Sequence, residues 1–454
     1  MKSDVKGPKE HFSSPCPGAA REMTDQRSHS STALTIAIMA ALVPGTVSGV
    51  EQAVMGLVAG LGHLTDGDER YLVVTDPAAP DWLDSYFGPN TQTLIAGMEN
   101  PRRSTAKHTL TPLLPTLRRA RTVGLRLAPL PSVRKRAIAP ENPILEAAEP
   151  DVVHFPYQWM HRTRAPSLFN PWDLQHLHLP NLFDKSTLAY RHTMYPLWCA
   201  ACTRVEVASH SVKEDLVERL SVPRQKVMVV QRGAPTTLLA PVTAYDVQAV
   251  RLAYDLPRSF AFYPAHSWPH KNHLRLFEAL AIARDRYSLD LKLVLTGQQT
   301  DFWPTLQAAI EDLALEDRVT SLGFVEGQHV RSLYHAAQFT VFPSLFEGAG
   351  FPVAEALTEG SPLLCSRLPV LTEQAGDAAL FFDPYSPEDI ARAMLQVWGN
   401  REEQTRLRTA GSKRTDLYSW DRAARIYRAA YRQLAGRELT AEDQELLTMA
   451  LDAG

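Results

Sequence analysis

The sequence has few cysteines and no long hydrophobic run. Its four cysteines among 454 residues are too few and too irregularly spaced for a disulfide framework, which favours a reducing compartment. The longest apolar run near the start, residues 33–43, ends at a Pro-Gly pair and is too short to span a bilayer. About thirty mostly polar residues with several acids precede that run, unlike a signal peptide, so we expect a cytoplasmic chain.

Neither charge nor cysteine spacing identifies a partner. The formal net charge of −3 shows no excess of either sign, so nucleic acid is not expected as a partner. Cys199 and Cys202 have the C-x-x-C spacing, but no second pair or ligand cluster accompanies them. We predict two buried small side chains on a helix, with metal or redox use as the alternative.

Short apolar strands alternate with amphipathic helices from residue 32 onward. The first unit has a strand at 34–42, a turn at 44–49, a helix at 50–64 and a strand at 70–75, and a second series begins near residue 259. Ser211 is the predicted N-cap of a further helix. This α/β alternation predicts two Rossmann-like, doubly wound parallel sheets facing across a cleft, with ligands outside the carboxyl ends of their strands.

The domain organisation follows from these patterns. We predict a disordered tail at 1–31, an N-terminal domain at 32–235, a C-terminal domain at 236–415, a helix at 416–436 and a tail at 437–454, with 233–257 as the best linker. Residues 101–138 form a basic insertion with ten Lys or Arg residues, no acid and several leucines. That insertion is either a solvated surface or a docking surface for anionic lipid.

The stretch "SLFEGAGFPVAEAL", residues 344–357, places Glu347 and Glu355 eight positions apart around a small-residue turn, Gly348-Ala349-Gly350. A strand precedes the turn and a helix follows it, so the free N–H groups of the helix start favour an anion there. Carboxylates accept hydrogen bonds from vicinal hydroxyls. A ligand with both hydroxyls and phosphates, such as a nucleotide sugar, satisfies both features.

A second turn, "FYPAHSWPHKNH" at residues 262–273, supplies cations for a diphosphate. It contains His266, His270, Lys271 and His273 directly after a predicted strand. A lysine at such a turn can act as a point charge on phosphate. The alternative is that these are ordinary polar turn residues.

With these motifs, the chain resembles the retaining glycosyltransferases of family 4, which have the GT-B fold, from Leu34 to about Ala435. Residues 344–394 are similar to the family's donor-binding segment, and residues 266–280 to its lysine turn. "LTGQQ" and "LGFV" are similar to its next strand ends, "PWDLQHLHLPNLF" to its acceptor-facing segment, and residues 418–434 to the helix that crosses back to the first domain. The resemblance thus implies an acceptor-side N-terminal domain and a C-terminal domain that binds the nucleotide sugar.

The resemblance also implies roles for individual residues. Glu347 would contact the donor sugar and support charge at its anomeric carbon, and Glu355 would hold the ribose. Lys271 and His266 would neutralise the diphosphate, although much of the family has Arg at the position of His266. The other donor-binding positions that it implies are Ser48, Gly49, Gly297, Phe324, Val325, Gly348, Ala349, Gly350 and Phe351. The acceptor-side candidates are Asp173, His176 and His178, which follow Trp172 where many members have His.

The implied reaction is transfer of a hexose, with retention, from a nucleoside diphosphate sugar such as GDP-mannose or a UDP-sugar to a hydroxyl acceptor, in polysaccharide or glycoconjugate synthesis. No metal or other cofactor is expected, because no D-x-D-like motif lies where a metal would be needed. A glycan or lipid-linked acceptor is expected, the latter with peripheral contact at an anionic inner membrane face. The alternatives are a non-catalytic nucleotide-sugar-binding or assembly subunit and a GT-B sugar epimerase.

Overall fold

The structure, a computed structural model, describes residues 33–45, 48–96 and 138–452. The predicted tail at 1–31 and residues 101–137 of the basic insertion lie outside the described residues, so their predictions stay predictions. Within residues 34–452, two parallel sheets with helices on their faces confirm the predicted α/β architecture. Among the described helices, none is both long enough and apolar enough to cross a membrane.

The first sheet has seven parallel strands within the described part of the chain, in the order β3-β2-β1-β4-β5-β6-β7. These strands are β1 (Thr35–Met39), β2 (Arg70–Thr75), β3 (Thr91–Ile95), β4 (Val152–Phe155), β5 (Ser167–Phe169), β6 (Arg204–Val207) and β7 (Val227–Val229). β4 is buried along its whole length, which explains its apolar residues Val152, Val153 and Phe155, and His154 is the buried polar residue among them. The strand order reverses between β1 and β4, and this reversal is the switch point of the sheet.

The second sheet has six parallel strands, all within the described residues 261–382, in the order β10-β9-β8-β11-β12-β13. They are β8 (Ala261–Pro264), β9 (Leu293–Thr296), β10 (Val319–Ser321), β11 (Phe339–Phe342), β12 (Leu363–Ser366) and β13 (Ala379–Phe382). Phe339 pairs with Ala261 across the β8–β11 switch point. The loops after these two strands therefore start side by side, and both carry predicted site residues.

Helices connect the strands of each sheet. The described helices are α1 (Ser48–His63), α2 (Pro143–Ala147), α3 (Gln175–His178), α4 (Lys185–Ala201), α5 (His210–Leu220), α6 (Ala244–Ala253), α7 (His273–Tyr287), α8 (Trp303–Asp312), α9 (Gly327–Ala336), α10 (Phe351–Thr358), α11 (Pro369–Ala375), α12 (Pro387–Val397), α13 (Arg401–Ser412), α14 (Trp420–Leu434) and α15 (Ala441–Asp452). The predicted Ser211 N-cap of α5 is wrong, because Ser209 accepts the capping hydrogen bond from the Val212 N–H.

Cys199 lies on α4 and Cys202 directly follows that helix. Both thiols are buried and free, and burial raises their pKa values, that of Cys202 to about 12. The prediction of two buried small side chains is confirmed, and their predicted place on a helix is correct for Cys199 but wrong for Cys202, which is the C-cap. Among the described residues, no group of three or more His, Cys, Asp or Glu is arranged to hold a metal ion.

The chain returns to the first domain through α14. A Cβ atom at Gly56 of α1 would lie 2.0 Å from the Trp420 ring, so the two helices approach closely only because residue 56 is glycine. Further along α14, the Tyr431 hydroxyl lies 2.7 Å from Nδ1 of the buried His154 on β4. The segment predicted as a tail, 437–454, contains α15, which buries Leu446 and Leu447 in the same core.

Candidate functional site

Lys271 and Glu347 meet at the switch point of the second sheet. Lys271 ends a 3₁₀ turn after β8, Glu347 lies in the loop after β11, and the Lys271 Nζ donates to Glu347 Oε1 over 2.6 Å. The side chains are only 15% and 10% exposed, so this ion pair is shielded from water. Asn272, with φ +63°, fixes the lysine turn by donating to the Pro343 and Pro384 carbonyl oxygens over 2.9 and 2.7 Å.

The Gly348-Ala349-Gly350 turn requires glycine at both ends. Gly350 has φ +61°, and a Cβ there would lie 2.7 Å from Gln374 Oε1. At Gly348 a Cβ would lie 2.8 Å from the Cβ of Asp173 in the first domain. Gly350 is also the N-cap of α10 and has no side chain to cap it, Pro352 has no N–H, and the Val353 N–H donates to the Gly350 carbonyl over 2.9 Å, so the Phe351 N–H is the first of that helix available for an anionic ligand.

Glu355 is buried in the middle of α10. Its Oε2 accepts a 2.7 Å hydrogen bond from the Tyr334 hydroxyl of α9. Burial raises the pKa of the Glu355 carboxyl to about 7, the Tyr334 hydrogen bond opposes this rise, and the nearby charge of Glu359 adds to it. A carboxyl with this pKa gains or loses a proton near neutral pH.

The histidines of the lysine turn are neutral, which corrects the prediction that they supply positive charge. Burial, with the charge of Lys271, lowers the pKa of His266. The same causes lower the pKa values of His270 and His273 to about 3. The Gln298 N–H donates to His266 Nδ1 over 2.6 Å, so the proton of the neutral ring is on Nε2. Lys271 is therefore the cation of this turn.

Several predicted donor-side positions lie on the neighbouring strand ends. Gly297 has φ +127°, and its N–H donates to the Gly323 carbonyl over 2.7 Å, which joins the ends of β9 and β10. Phe324 follows with 76% of its surface exposed, whereas Val325 is buried. In the first domain, Ser48 opens α1 and a Cβ at Gly49 would have no atom within 4 Å, so space is available there.

The three acceptor-side candidates occupy different environments. Asp173 packs on Gly348, its Oδ1 accepts the Gln175 N–H over 2.9 Å, and burial raises its pKa. The ring of His178 lies 5.0 Å from that of Phe346, the residue before Glu347. His176 is fully buried in the first domain, which lowers its pKa to about 4. The structure thus brings Asp173 and His178, but not the His176 ring, against the loop of Glu347.

The sequence did not identify Arg232 or Tyr334 as site residues. Arg232, after β7, donates to both oxygens of the buried Glu206, and its guanidinium lies 5.2 Å from the Trp172 ring centre. It lines a small cavity between the domains, together with Ala349 and Phe351. Neither residue belongs to a local motif, so only the tertiary structure identifies them.

Residues 251–414 match the family model described as "Glycosyl transferases group 1". Over 212 residues the chain is 26% identical to the O-antigen chain mannosyltransferase RfbU of Salmonella typhimurium, covering 47% of this chain and 55% of that protein. Over 223 residues it is 25% identical to the O-antigen chain mannosyltransferase B of Escherichia coli, covering 49% and 58%. The chain thus spans just over half the length of these relatives.

The fold is similar to that of Anabaena HepE, whose crystal structure contains UDP and glucose. The TM-score is 0.63 at 16% identity, and the match covers 88% of this chain and all of that one. This similarity supports the two-domain arrangement, while the sequence match lies in the domain with the Lys271–Glu347 pair. That domain therefore matches the group 1 glycosyl transferases, and the two-domain fold of the chain is GT-B.

Proposed function

We propose that this protein transfers a hexose, with mannose as the first candidate, from a nucleoside diphosphate sugar to an acceptor hydroxyl with retention at the anomeric carbon. The Lys271–Glu347 pair at the switch point carries this proposal. In this pair a cation that can bind a diphosphate contacts a carboxylate that can accept hydrogen bonds from sugar hydroxyls. The similarity to two O-antigen mannosyltransferases supports mannose as the sugar and a polysaccharide or glycoconjugate as the product.

Charge stabilisation comes from protein groups in this mechanism. When the bond from the anomeric carbon to the diphosphate breaks, the leaving diphosphate gains negative charge, which Lys271, the Phe351 N–H and the positive end of the α10 dipole stabilise. Lys271 exchanges its partner Glu347 for phosphate oxygens, and Glu347 then accepts hydrogen bonds from the sugar. The acceptor attacks the face that the diphosphate leaves, and the departing phosphate takes the acceptor proton. No metal ion is required by this arrangement.

The remaining site residues orient the two substrates. In this proposal Glu355 accepts the ribose hydroxyls, and the turn at Phe324, whose side chain is exposed, holds the base. Asp173, which packs on Gly348, is assigned to the acceptor. A glycan or a lipid-linked glycan is the proposed acceptor, with peripheral contact to an anionic membrane in the lipid-linked case.

A panel of nucleotide sugars tests this proposal. The melting temperature of the protein is measured with GDP-mannose, UDP-glucose and related donors. The donor that raises the melting temperature most is selected, because a ligand that binds only the folded state stabilises that state. The selected donor, labelled in the sugar, should be hydrolysed slowly without acceptor and should transfer its sugar to a glycan acceptor. The anomeric coupling constant of the first-formed product, measured by nuclear magnetic resonance, shows whether the product has the same anomeric configuration as the donor.

Three outcomes would contradict the proposal. Stabilisation without hydrolysis or transfer would favour a nucleotide-sugar-binding subunit, and conversion of the donor to another nucleotide sugar would favour an epimerase. A product with inverted configuration would refute retention while leaving transfer intact.

A further inference from the structure

The small cavity between the two domains has polar walls that the proposed mechanism does not use. Its volume is about 10 Å³, enough for one oxygen-sized group. Six of the residues that line it are Ala208, Ser209 and Arg232 of the first domain and Ala349, Phe351 and Gln374 of the second. We call it the interdomain cavity. Because Ala349 and Phe351 belong to the turn and the start of α10, a donor bound there would lie beside this cavity.

Gln374 places an unpaired hydrogen-bond acceptor at the interdomain cavity. This residue of α11 is only 4% exposed, and its Oε1 has no hydrogen-bond partner among the described residues. The oxygen lies close to the turn before α10, because a Cβ atom at Gly350 would be 2.7 Å from it. Buried polar atoms are nearly always hydrogen-bonded, so an unpaired acceptor in this place indicates a ligand that donates to it.

Arg232 places an unpaired donor at the same cavity. This residue is 6% exposed, its Nη2 donates to both oxygens of Glu206 over 2.9 and 2.7 Å, and its Nε donates to the Tyr427 hydroxyl over 3.4 Å. Its Nη1 has no hydrogen-bond partner within the described part of the chain. The guanidinium also lies over the Trp172 ring. These contacts fix its plane, so a ligand atom at Nη1 meets a donor that is already oriented.

We propose that the interdomain cavity binds one hydroxyl group of the transferred sugar and so determines which sugar the enzyme selects. This inference rests on the proposed glycosyl transfer. A hydroxyl both accepts and donates, so it can accept from Arg232 Nη1 and donate to Gln374 Oε1. A phosphate oxygen only accepts, so it would leave Gln374 Oε1 without a donor. It would also lie beside the carboxylate of Glu373, which lines the same cavity.

The cavity is assigned to the donor sugar rather than to the acceptor. Glu347, which is assigned to the sugar, is two residues before Ala349 in the same turn. The Gly348 carbonyl oxygen between them lies 3.5 Å from the hydroxyl of Ser209, another residue of the cavity wall. Asp173, which is assigned to the acceptor, is not among the described residues that line the cavity. A hexose that extends from Glu347 along the turn therefore has a hydroxyl at the cavity.

Deoxy analogues of the donor test this assignment. The nucleotide sugar selected in the donor panel is compared with four analogues that each lack the hydroxyl at carbon 2, 3, 4 or 6 of the hexose. Each is titrated by calorimetry into the full-length protein, and discrimination is the Kd of the analogue divided by that of the parent donor. Loss of the hydroxyl in the cavity should give a discrimination of about tenfold or more, because Arg232 Nη1 and Gln374 Oε1 both lose their partner.

Variants identify the hydroxyl that lies in the cavity. Gln374→Met keeps the length of the side chain but removes its acceptor, so discrimination against one analogue should fall to about threefold or less and stay unchanged for the other three. Arg232→Lys keeps a positive charge beside Glu206 but lacks Nη1, and it should lower discrimination against the same analogue. Gln396→Met is the control, because it makes the same change at an exposed glutamine of α12 in the same domain. This variant should discriminate as wild type does.

Two results would overturn the inference while leaving the proposed function intact. If wild type and both cavity variants discriminate equally against all four analogues, the cavity binds a water molecule and not the sugar. If the variants bind the parent donor and its analogues as wild type does but transfer the sugar more slowly, the cavity serves the acceptor. Binding of no nucleotide sugar in the donor panel would instead contradict the proposed function, and this inference with it.

Discussion

Trp172 of the first domain meets Phe351 of the second edge-on, with ring centres 6.2 Å apart. The Trp172 Nε1–H donates to the Pro156 carbonyl over 3.0 Å, and the Arg232 guanidinium lies over the same ring. Trp172 adopts φ +68°, a left-handed conformation that bulky residues rarely adopt. Contacts on three sides therefore hold a strained residue between the domains, next to the start of α10.

The strain at Trp172 is measurable by comparing two truncations. Trp172→Gly and Trp172→Ala both remove the ring and its contacts, but only glycine adopts φ +68° without cost. Trp172→Gly should therefore be more stable than Trp172→Ala by about 1 kcal/mol in the free energy of unfolding, measured with urea. Equal stabilities would mean that residue 172 leaves this conformation when the ring is lost.

Loss of the lysine charge should weaken donor binding. We expect Lys271→Ala to lower the affinity for the selected nucleotide sugar about tenfold or more, since a hydrogen bond to a charged group contributes about 1.5–3 kcal/mol. Isothermal titration measures this change. Lys292→Ala is the control, because Lys292 pairs with Asp290 and Asp317 in the same domain. Similar losses in both variants would contradict a specific role for Lys271.

Substitution of Glu347 should change mainly kcat, whereas substitution of Glu355 should change mainly donor affinity. Glu347→Gln should lower kcat by about 10²-fold with little change in donor affinity, because Glu347 is assigned to the reacting sugar. Glu355→Gln should weaken donor affinity about tenfold, because it is assigned to the ribose. Steady-state rates give kcat, and calorimetry on the same preparations gives the donor affinity of each variant. If both variants match wild type in both quantities, the site is elsewhere.

The sequence predicted the parts of the fold that depend on local pattern. The strand predicted at 70–75 is β2, and the two turns with Lys271 and Glu347 follow the two strands at the switch point. Both successes depend on short apolar runs ended by turn residues. The stretch predicted as the linker, 233–257, lies between the two sheets and contains α6, which its polar composition hid although Thr243 and Asp246 form a capping box at the start of that helix.

Features that depend on burial could not be predicted. The neutral state of His266 and the raised pKa of Glu355 both follow from the packing of distant segments around them. Tyr334 is 21 residues from Glu355 in sequence, and Asp173 contacts Gly348 from the other domain. Local spacing in the sequence does not reveal such contacts, so neither the contacts nor the protonation that follows from them could be predicted.

Chelation should leave activity unchanged. The proposed charge stabilisation uses Lys271 and the Phe351 N–H at the start of α10, so EDTA should not lower the rate of donor hydrolysis or transfer. The rate is compared before and after dialysis against EDTA, with readdition of Mg²⁺. Complete loss of activity that Mg²⁺ restores would refute a metal-independent reaction.

The raised pKa of Glu355 predicts how donor affinity depends on pH. In the free protein this pKa is about 7, whereas two ribose hydroxyls that donate to the carboxylate favour its ionised form and lower the pKa in the complex. Binding therefore releases a proton when the pH is below about 7, and affinity should fall about tenfold between pH 8 and pH 6.

A nucleotide sugar is the appropriate ligand for this measurement, because neither of its phosphates titrates in that range. The buried histidines His266, His270 and His273 have lowered pKa values and should contribute little. Glu355→Gln cannot release the proton, so its affinity, although weaker, should be the same at both pH values. An equal pH dependence in wild type and Glu355→Gln would assign the titration to another group and remove Glu355 from the ribose site.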